Sequence, residues 1–262
     1  MSDLEYKITN RVAWIRLNRP ETKNSFTLEM IDEWVQRLQE AGADPEVGAV
    51  VVTGNGGSFC SGVDLAVIDD LQKRGDALAW KSLLWDRIHR IAFTLEALDK
   101  PVIAAVAGTA VGAGMDMSLM CDMRFAGRSA RFCEGYIRIG AVPGDGGCYF
   151  LTRLVGTAKA LELFLSGDFI DADEALRIGI VNRVYDDAEL EAETQRFAEK
   201  LVAHSPIALR MMKRAVYQSR DADLRTALDM ISSHMGVVQT THDAQEAFNA
   251  FRERRAPKFK GN

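Results

Sequence analysis

Hydrophobic and polar residues follow two periodicities along the chain, one typical of strands and one typical of helices. Residues 4–17 alternate between the two classes around Asn10-Arg11, which predicts a β-hairpin. Thr27 then precedes apolar residues at helical spacing and is a suitable N-cap. Continuous apolar runs at 49–53 and 101–107 predict buried strands, and residues 76–98 predict a second long helix. Strands that alternate with helices in this order indicate an α/β fold.

The chain changes character near residue 186, where glycine almost disappears and helix-forming residues dominate. Four helices are predicted, over 187–203, 206–218, 221–239 and 241–253. We therefore divide the chain into an α/β core, residues 1–198, and a C-terminal helical region, residues 199–262. Leu224, Leu228, Ile231 and Met235 form an apolar stripe in that region. Such a stripe covers either the core or a subunit interface.

Composition and charge exclude several classes of protein. The 262 residues are 47% hydrophobic and carry a net charge of −5, which is ordinary for a globular protein and unfavourable for binding nucleic acid or a membrane surface. No apolar run is long enough to span a membrane, and the first residues do not resemble a signal peptide. The four cysteines form no C-x-x-C pair and the four histidines are scattered, so we expect no disulfide framework and no metal site. These features predict a cytoplasmic protein.

Two glycine-rich turns each follow an apolar strand and lead into a short helical run, at residues 54–65 and 108–116. A turn that opens a helix leaves backbone N–H groups without partners, and two facing turns would offer a pair of donors to a developing oxyanion. Glycine turns also serve simply to reverse the chain. Neither turn matches the phosphate-loop or dinucleotide-binding patterns.

Several motifs, taken in order, resemble the crotonase (enoyl-CoA hydratase/isomerase) superfamily over nearly the whole chain. They are Asn18-Arg19-Pro20, the segment FCSGVDL at 59–65, the segment from Gly108 to Asp122, GAVPGDGG at 140–147, LTRLVG at 151–156, and the basic end at 251–259. The resemblance implies a ββα spiral core with a C-terminal α-helical oligomerisation region, assembled as a homotrimer or a dimer of trimers. It also implies an acyl-CoA thioester as substrate, with no further cofactor. By motif position, the backbone N–H groups of Ser61 and Ala113 would form the oxyanion hole.

The acids expected at the reaction centre depart from the hydratase pattern. Hydratases of the superfamily use two glutamates, and here Asp116 and Tyr136 stand at those positions. Tyrosine is a poor base at neutral pH, so simple two-glutamate hydration is in doubt. Glu134 and Asp145 lie close by in sequence, each as either a catalytic acid or a structural one. We therefore name Asp116, Glu134, Tyr136 and Asp145 as candidate catalytic residues.

Other positions follow from the resemblance. For His89 the alternatives are a polar surface residue and a group near the acyl chain, whereas Asp122 is interpreted as structural. The candidate CoA-binding residues are Lys23, Ser58, Phe59, Gly62, Asp64, Leu65 and Lys258, and Arg254 and Arg255 are further candidates for phosphate contacts.

The resemblance implies an enzyme that stabilises a thioester enolate during hydration or double-bond shift of an enoyl-CoA. Dienoyl-CoA isomerisation, hydrolysis, dehalogenation and decarboxylation of an acyl-CoA remain alternatives. A catalytically inactive acyl-CoA-binding protein of the same fold is a further alternative, because the usual glutamates are missing.

Overall fold

The computed structural model describes residues 2–262 and shows two sheets surrounded by helices. The six-stranded sheet has the order β1-β2-β3-β4-β6-β9; β1 and β2 pair antiparallel, and every later neighbour is parallel. A smaller sheet has the order β5-β7-β8. The strands are β1 (Leu4–Thr9), β2 (Val12–Leu17), β3 (Ala49–Gly54), β4 (Val102–Val106), β5 (Thr109–Val111), β6 (Met123–Gly127), β7 (Arg131–Cys133), β8 (Ile170–Asp171) and β9 (Arg183–Tyr185).

Twelve α-helices lie between and after these strands within residues 2–262. They are α1 (Leu28–Ala43), α2 (Leu65–Arg74), α3 (Ala77–Ser82), α4 (Arg90–Ala97), α5 (Ala113–Leu119), α6 (Gly147–Val155), α7 (Thr157–Ser166), α8 (Ala172–Arg177), α9 (Leu190–Val202), α10 (Pro206–Ser219), α11 (Leu224–Gln239) and α12 (His242–Glu253). Successive ββα units, such as β4-β5-α5 and β6-β7-α6, follow one another along the chain. This architecture confirms the predicted fold class.

The large sheet separates two hydrophobic clusters because side chains alternate between its faces. On β3, Val50 and Val52 point to the cluster that includes α1, whereas Ala49 and Val51 point to the cluster that includes α9. Helix α1 contributes a fully buried stripe with Trp34 at its centre. A parallel sheet covered on both faces explains why its strands read as continuous apolar runs.

Most of the predicted elements are present, with informative differences at three places. The hairpin turn has positive φ at Asn10 and Arg11, and Thr27 caps α1 through the N–H of Met30. The predicted helix over 76–98 is instead α3, a π-helical turn over Leu83–Ile88, and α4. Its apolar spacing is helical throughout, but periodicity alone does not reveal a turn that is one residue wider.

The second difference is the small sheet and helices α6 to α8, whose short elements gave no clear periodic signal.

The third difference concerns the proposed boundary at residue 198, which lies inside α9. That helix packs across the large sheet, where Trp14 Nε1 donates to Gln195 at 2.6 Å. The division into a core and a helical region otherwise stays a prediction.

Among residues 2–262, no helix combines the length and apolarity that a membrane crossing requires.

Candidate active site

The two glycine-rich turns meet in the structure, as their shared form suggested. A β-bridge joins Cys60 to Ala110, and the Val111 N–H donates to the Cys60 carbonyl at 3.0 Å. Gly114 packs so closely that a Cβ there would stand 2.1 Å from the same carbonyl oxygen. Only glycine permits this approach, which fixes the start of α5 against the first turn.

Two backbone N–H groups at this junction are free of hydrogen bonds to the part of the chain that the structure describes. Ala113 is the first residue of α5, where the N–H has no intrahelical acceptor, and Val63 follows Gly62 in the first turn. Among residues 2–262, neither N–H has a hydrogen-bond acceptor. Gly62 has φ of +101°, and a Cβ built on it would lie 3.6 Å from the Ala113 nitrogen, so the two turns are in direct contact. Val63 and Ala113 are thus the available donor pair.

The expected role of Ser61 is contradicted by its hydrogen bonds. Its backbone N–H donates to the Lys23 carbonyl at 3.0 Å, and its hydroxyl donates to the Thr22 carbonyl at 2.9 Å. Motif position pointed to Ser61, whereas, of the two N–H groups, only that of Val63, two residues later, lacks an acceptor among the described residues. The sequence holds no direct signal of which N–H is free.

Tyr136 connects two buried carboxylates beside this junction. Its hydroxyl lies 2.8 Å from Asp116 Oδ2 and 2.9 Å from Asp145 Oδ2. Asp116 lies on α5 one turn after Ala113, and the Tyr136 ring packs against Gly112, which precedes Ala113. The structure therefore brings together all four candidate catalytic residues, since a Cβ on Gly147 would lie 2.3 Å from Asp116 Oδ1 and 3.2 Å from Glu134 Oε1.

Burial controls the protonation of this group of residues, which we call the acid cluster (Asp116, Glu134, Tyr136 and Asp145). Burial, reinforced by the charge of Asp145, raises the pKa of Asp116 to about 7, although the Tyr136 hydrogen bond lowers it. Burial and the charge of Asp116 raise the pKa of Glu134 to about 10. Burial also raises the pKa of Asp145 and of Tyr136. At neutral pH, Glu134 is therefore a neutral acid, and Asp116 exchanges its proton readily.

Four carboxylate oxygens of the acid cluster have no hydrogen-bond partner within residues 2–262. They are Asp116 Oδ1, Asp145 Oδ1 and both side-chain oxygens of Glu134. Gly147 fits against them only because it lacks a side chain, as a Cβ there would stand 2.3 Å from Asp116 Oδ1. Buried acids with unused hydrogen-bonding capacity are costly to stability and are typical of functional sites.

A family model described as "Enoyl-CoA hydratase/isomerase" matches residues 7–262 of the chain. The chain belongs to the enoyl-CoA hydratase/isomerase family. It is 36% identical over 262 residues to a 2,3-dehydroadipyl-CoA hydratase of Escherichia coli, with all of both chains covered. It is also 36% identical to a short-chain-enoyl-CoA hydratase of Clostridium acetobutylicum, covering 94% of this chain and 92% of that one. A crystal structure of an enoyl-CoA hydratase/isomerase from Cupriavidus metallidurans superposes with a TM-score of 0.92 at 34% identity, covering 100% of this chain and 97% of that one.

Two further residues of this family member have clear surroundings. Asp122 is structural, as interpreted: it accepts from the Val102 N–H at 2.7 Å and pairs with Lys213 at 2.8 Å. His89 follows the π-helical turn, and its Nε2 lies 2.7 Å from the carbonyl oxygen of Gly144, the residue before Asp145. His89 therefore lies next to the acid cluster rather than on a polar surface.

The predicted CoA-binding residues fall into two groups. Some of them form hydrogen bonds within the protein. Phe59 is fully buried, and its N–H donates to the carbonyl of Thr109. The carbonyl of Ser58 accepts from the Asn24 side chain, and the carbonyl of Gly62 accepts from the Phe26 N–H. Asp64 caps α2 through Ala66 and pairs with Arg19 at 2.7 Å. Phe59 thus offers neither its side chain nor its N–H to a ligand.

Three of these residues remain open to solvent. Leu65 at the start of α2 is 75% exposed, and Lys23 and Lys258 are exposed as well. Lys23 lies close to the first turn because its carbonyl accepts from Ser61. Arg255, by contrast, is held by Glu246 and Glu253. Contacts of Lys23, Leu65 and Lys258 with CoA stay predictions.

Proposed function

We propose that this protein is an acyl-CoA enzyme that stabilises a thioester enolate during hydration or double-bond shift of an enoyl-CoA. The observation that carries the proposal is the placement of Asp116, which follows the free N–H of Ala113 by one helical turn. The family and its named relatives support an acyl-CoA substrate. Asp116 and Tyr136 stand where we expect the two glutamates of the hydratases. Different side chains would therefore carry out the same type of proton transfer.

The first requirement of this chemistry is charge stabilisation on the thioester oxygen. The N–H groups of Val63 and Ala113 would donate to that oxygen, and Ala113 adds the positive end of α5. One such donor is typically worth about 2.7–4 kcal/mol of transition-state stabilisation. Because these donors are backbone groups fixed by the contact between Cys60 and Gly114, they need no reorganisation during the reaction.

The second requirement is a group that moves a proton at the α-carbon. A pKa of about 7 lets Asp116 serve as base or acid near neutral pH. In hydration, a proton is added to the α-carbon and the hydroxyl of water to the β-carbon. In a double-bond shift, the proton leaves one carbon and returns to another. Asp145, joined to Asp116 through Tyr136, is the second group available for the water or the returning proton.

The test is α-proton exchange, which is common to both reactions. Butyryl-CoA in deuterated water should gain deuterium at the α-carbon, and crotonyl-CoA should be hydrated. Asp116→Asn keeps the shape and removes the base, so we expect both rates to fall about 10²–10⁴-fold. Asp70→Asn is the control, since Asp70 is an exposed residue on α2 that pairs with Arg74. Wild-type protein that neither exchanges nor hydrates would favour the inactive-homologue alternative.

We also propose a cytoplasmic homotrimer or dimer of trimers. The apolar stripe on α11 supports self-association, because Leu224 is 74% exposed and Met235 is 58% exposed in a single chain. The four cysteines are all unpaired, which is usual in a reducing compartment.

A further inference from the structure

A second feature of the molecule adjoins the acid cluster at Asp145. It is a cavity of about 910 Å³ between the π-helical turn with α4, the start of α6, and α10. Asp145 and Gly146 form part of its wall. We call it the aromatic cavity, for the side chains described next.

Two groups of aromatic rings face the aromatic cavity. The wide turn before α4 sets Trp85, His89 and Phe93 edge to face, with the Trp85 and Phe93 centroids 5.3 Å apart. Tyr149 and Phe150 form a second edge-to-face pair at 5.1 Å on α6. Trp85, Phe93 and Tyr149 are 58%, 45% and 43% exposed, so much of their apolar surface is open to a ligand.

The charged side chains of the aromatic cavity largely neutralise one another. On α10, Lys213 pairs with Asp122, and Arg214 pairs with Asp99 in a two-point contact. Arg220 contacts Tyr149 and Asp221. A carboxylate on the ligand would therefore find no spare cation to pair with, which favours an uncharged group over an acidic one.

The aromatic cavity and the acid cluster share one residue, Asp145. Asp145 accepts from Tyr136 at 2.9 Å, and Tyr136 packs against Gly112 at the start of α5. An acyl group held by Val63 and Ala113 and passing Asp145 would enter the aromatic cavity. Asp145 Oδ1 is buried without a partner on this path. The volume suits a ligand of drug-like size and far exceeds what a four-carbon chain can fill.

We propose that the aromatic cavity binds the distal part of the acyl group and selects an uncharged aromatic acyl chain, such as a 3-aryl-acryloyl thioester. The inference rests on the proposed function for the direction in which the acyl group runs. Aromatic rings in edge-to-face contact provide more attraction than their buried area alone. A short aliphatic chain would leave this surface in contact with water.

The experiment compares cinnamoyl-CoA with crotonyl-CoA in the wild type and in Trp85→Leu. We expect kcat/KM for cinnamoyl-CoA to exceed that for crotonyl-CoA at least tenfold. Trp85→Leu should lower the cinnamoyl-CoA value about tenfold, equivalent to about 1.4 kcal/mol, and change the crotonyl-CoA value less than twofold. Leu165→Ala, which removes an exposed apolar side chain on α7, is the matched control and should change neither value.

Binding keeps the test independent of turnover. Titration calorimetry with 3-phenylpropionyl-CoA and butyryl-CoA should show tighter binding of the aromatic thioester, and Trp85→Leu should remove the difference. Equal affinities, or an equal loss for both thioesters, would overturn the inference even if both enoyl-CoAs are turned over. Tighter aromatic binding without any turnover or α-proton exchange would support the cavity assignment and contradict the proposed function.

Discussion

At the scale of single residues, the hydroxyl of Tyr136 connects two buried aspartates and influences the pKa of both. Its hydroxyl has one proton and lies within hydrogen-bond distance of both Asp116 and Asp145. A hydrogen bond to a carboxylate favours the charged form, so this contact opposes the effect of burial on both groups. Tyr136 is therefore better understood as a donor that tunes acids than as a base.

Tyr136→Phe should raise the pKa of Asp116, the proposed proton-transfer group, because the donor that lowers the pKa of Asp116 and Asp145 is lost. The acid limb of the plot of kcat against pH should then move to higher pH, with a lower maximum. Tyr185→Phe, on strand β9, is the control and should leave the profile unchanged. An acid limb that stays in place in Tyr136→Phe would show that neither aspartate controls it.

Glu134 carries a stability cost that depends on pH. Its pKa is 4.5 in an exposed reference state and rises to about 10 in the folded protein. Between these values the folded state holds one proton more than the unfolded state, so its stability falls as pH rises. Between about pH 7, the pKa of Asp116, and pH 8, this slope comes mainly from Glu134; above pH 8 Lys100, whose pKa burial lowers to about 8, contributes a slope of opposite sign.

Glu134→Gln should therefore flatten the fall of the melting temperature between pH 7 and pH 8, since glutamine mimics the neutral acid and does not titrate. Thermal unfolding monitored at several pH values measures the slope. The exposed residue Glu162 provides the control, and Glu162→Gln should keep the wild-type slope. Parallel slopes for wild type and Glu134→Gln would mean that Glu134 ionises normally in the folded protein.

At the scale of elements, the start of α5 is the part of the fold that creates the site. The helix supplies a free N–H at Ala113 and a carboxylate at Asp116, and the contact of Gly114 with Cys60 places both against the first turn. The π-helical turn over Leu83–Ile88 has a comparable role on the other side, since it sets the rings of the aromatic cavity. Such wide turns occur frequently at functional sites.

Gly114→Ala should separate the two turns, because a Cβ at 2.1 Å from the Cys60 carbonyl oxygen forces the backbone to move. We expect a lower melting temperature and loss of most α-proton exchange. Gly236→Ala on α11 is a matched control, as a Cβ there meets nothing within 4 Å. Since alanine favours a helix interior over glycine by about 0.5–1 kcal/mol, Gly236→Ala should stabilise the protein and retain activity. Full activity in Gly114→Ala would contradict the proposed donor pair.

At the scale of the whole molecule, the large sheet is covered on both faces, but the C-terminal helices are not. Helices α10 and α11 bury few of their side chains, and the exposed apolar residues concentrate on them. A single chain therefore leaves apolar surface without a partner, and a second copy of the same helices is the occupant that the proposed assembly implies.

Leu224→Asp should weaken association, because it places a charge within the apolar stripe of α11 that the proposed assembly buries. Light scattering should show the wild type at three or six times the chain mass and the variant shifted toward smaller species. Ser233→Asp, on the opposite side of the same helix, should keep the wild-type mass. A wild type that remains a 29.0 kDa monomer at micromolar concentration would contradict the proposed assembly.

The sequence by itself determined the elements whose signal is local. Periodicity found the hairpin, α1 and the C-terminal helices, since side-chain burial on one face repeats at the period of the element, and continuous apolar runs found the buried strands β3 and β4. Ordered motifs found the superfamily and all four members of the acid cluster. Short elements such as β5, β7 and β8 were missed, because two or three residues are too few to show a period.

Tertiary structure decided which of the chemical groups named in the sequence are free to act. Ser61 and Val63 are two residues apart, and only packing against the segment that contains Lys23 satisfies the first N–H and leaves the second without a partner. The pKa of Asp116 is likewise a property of its surroundings, because burial and the nearby Asp145 raise it. The aromatic cavity joins α4, α6 and α10, which are far apart along the chain. Hydrogen bonds, burial and cavities depend on non-local contacts, whereas the pattern of a sequence reports the local ones.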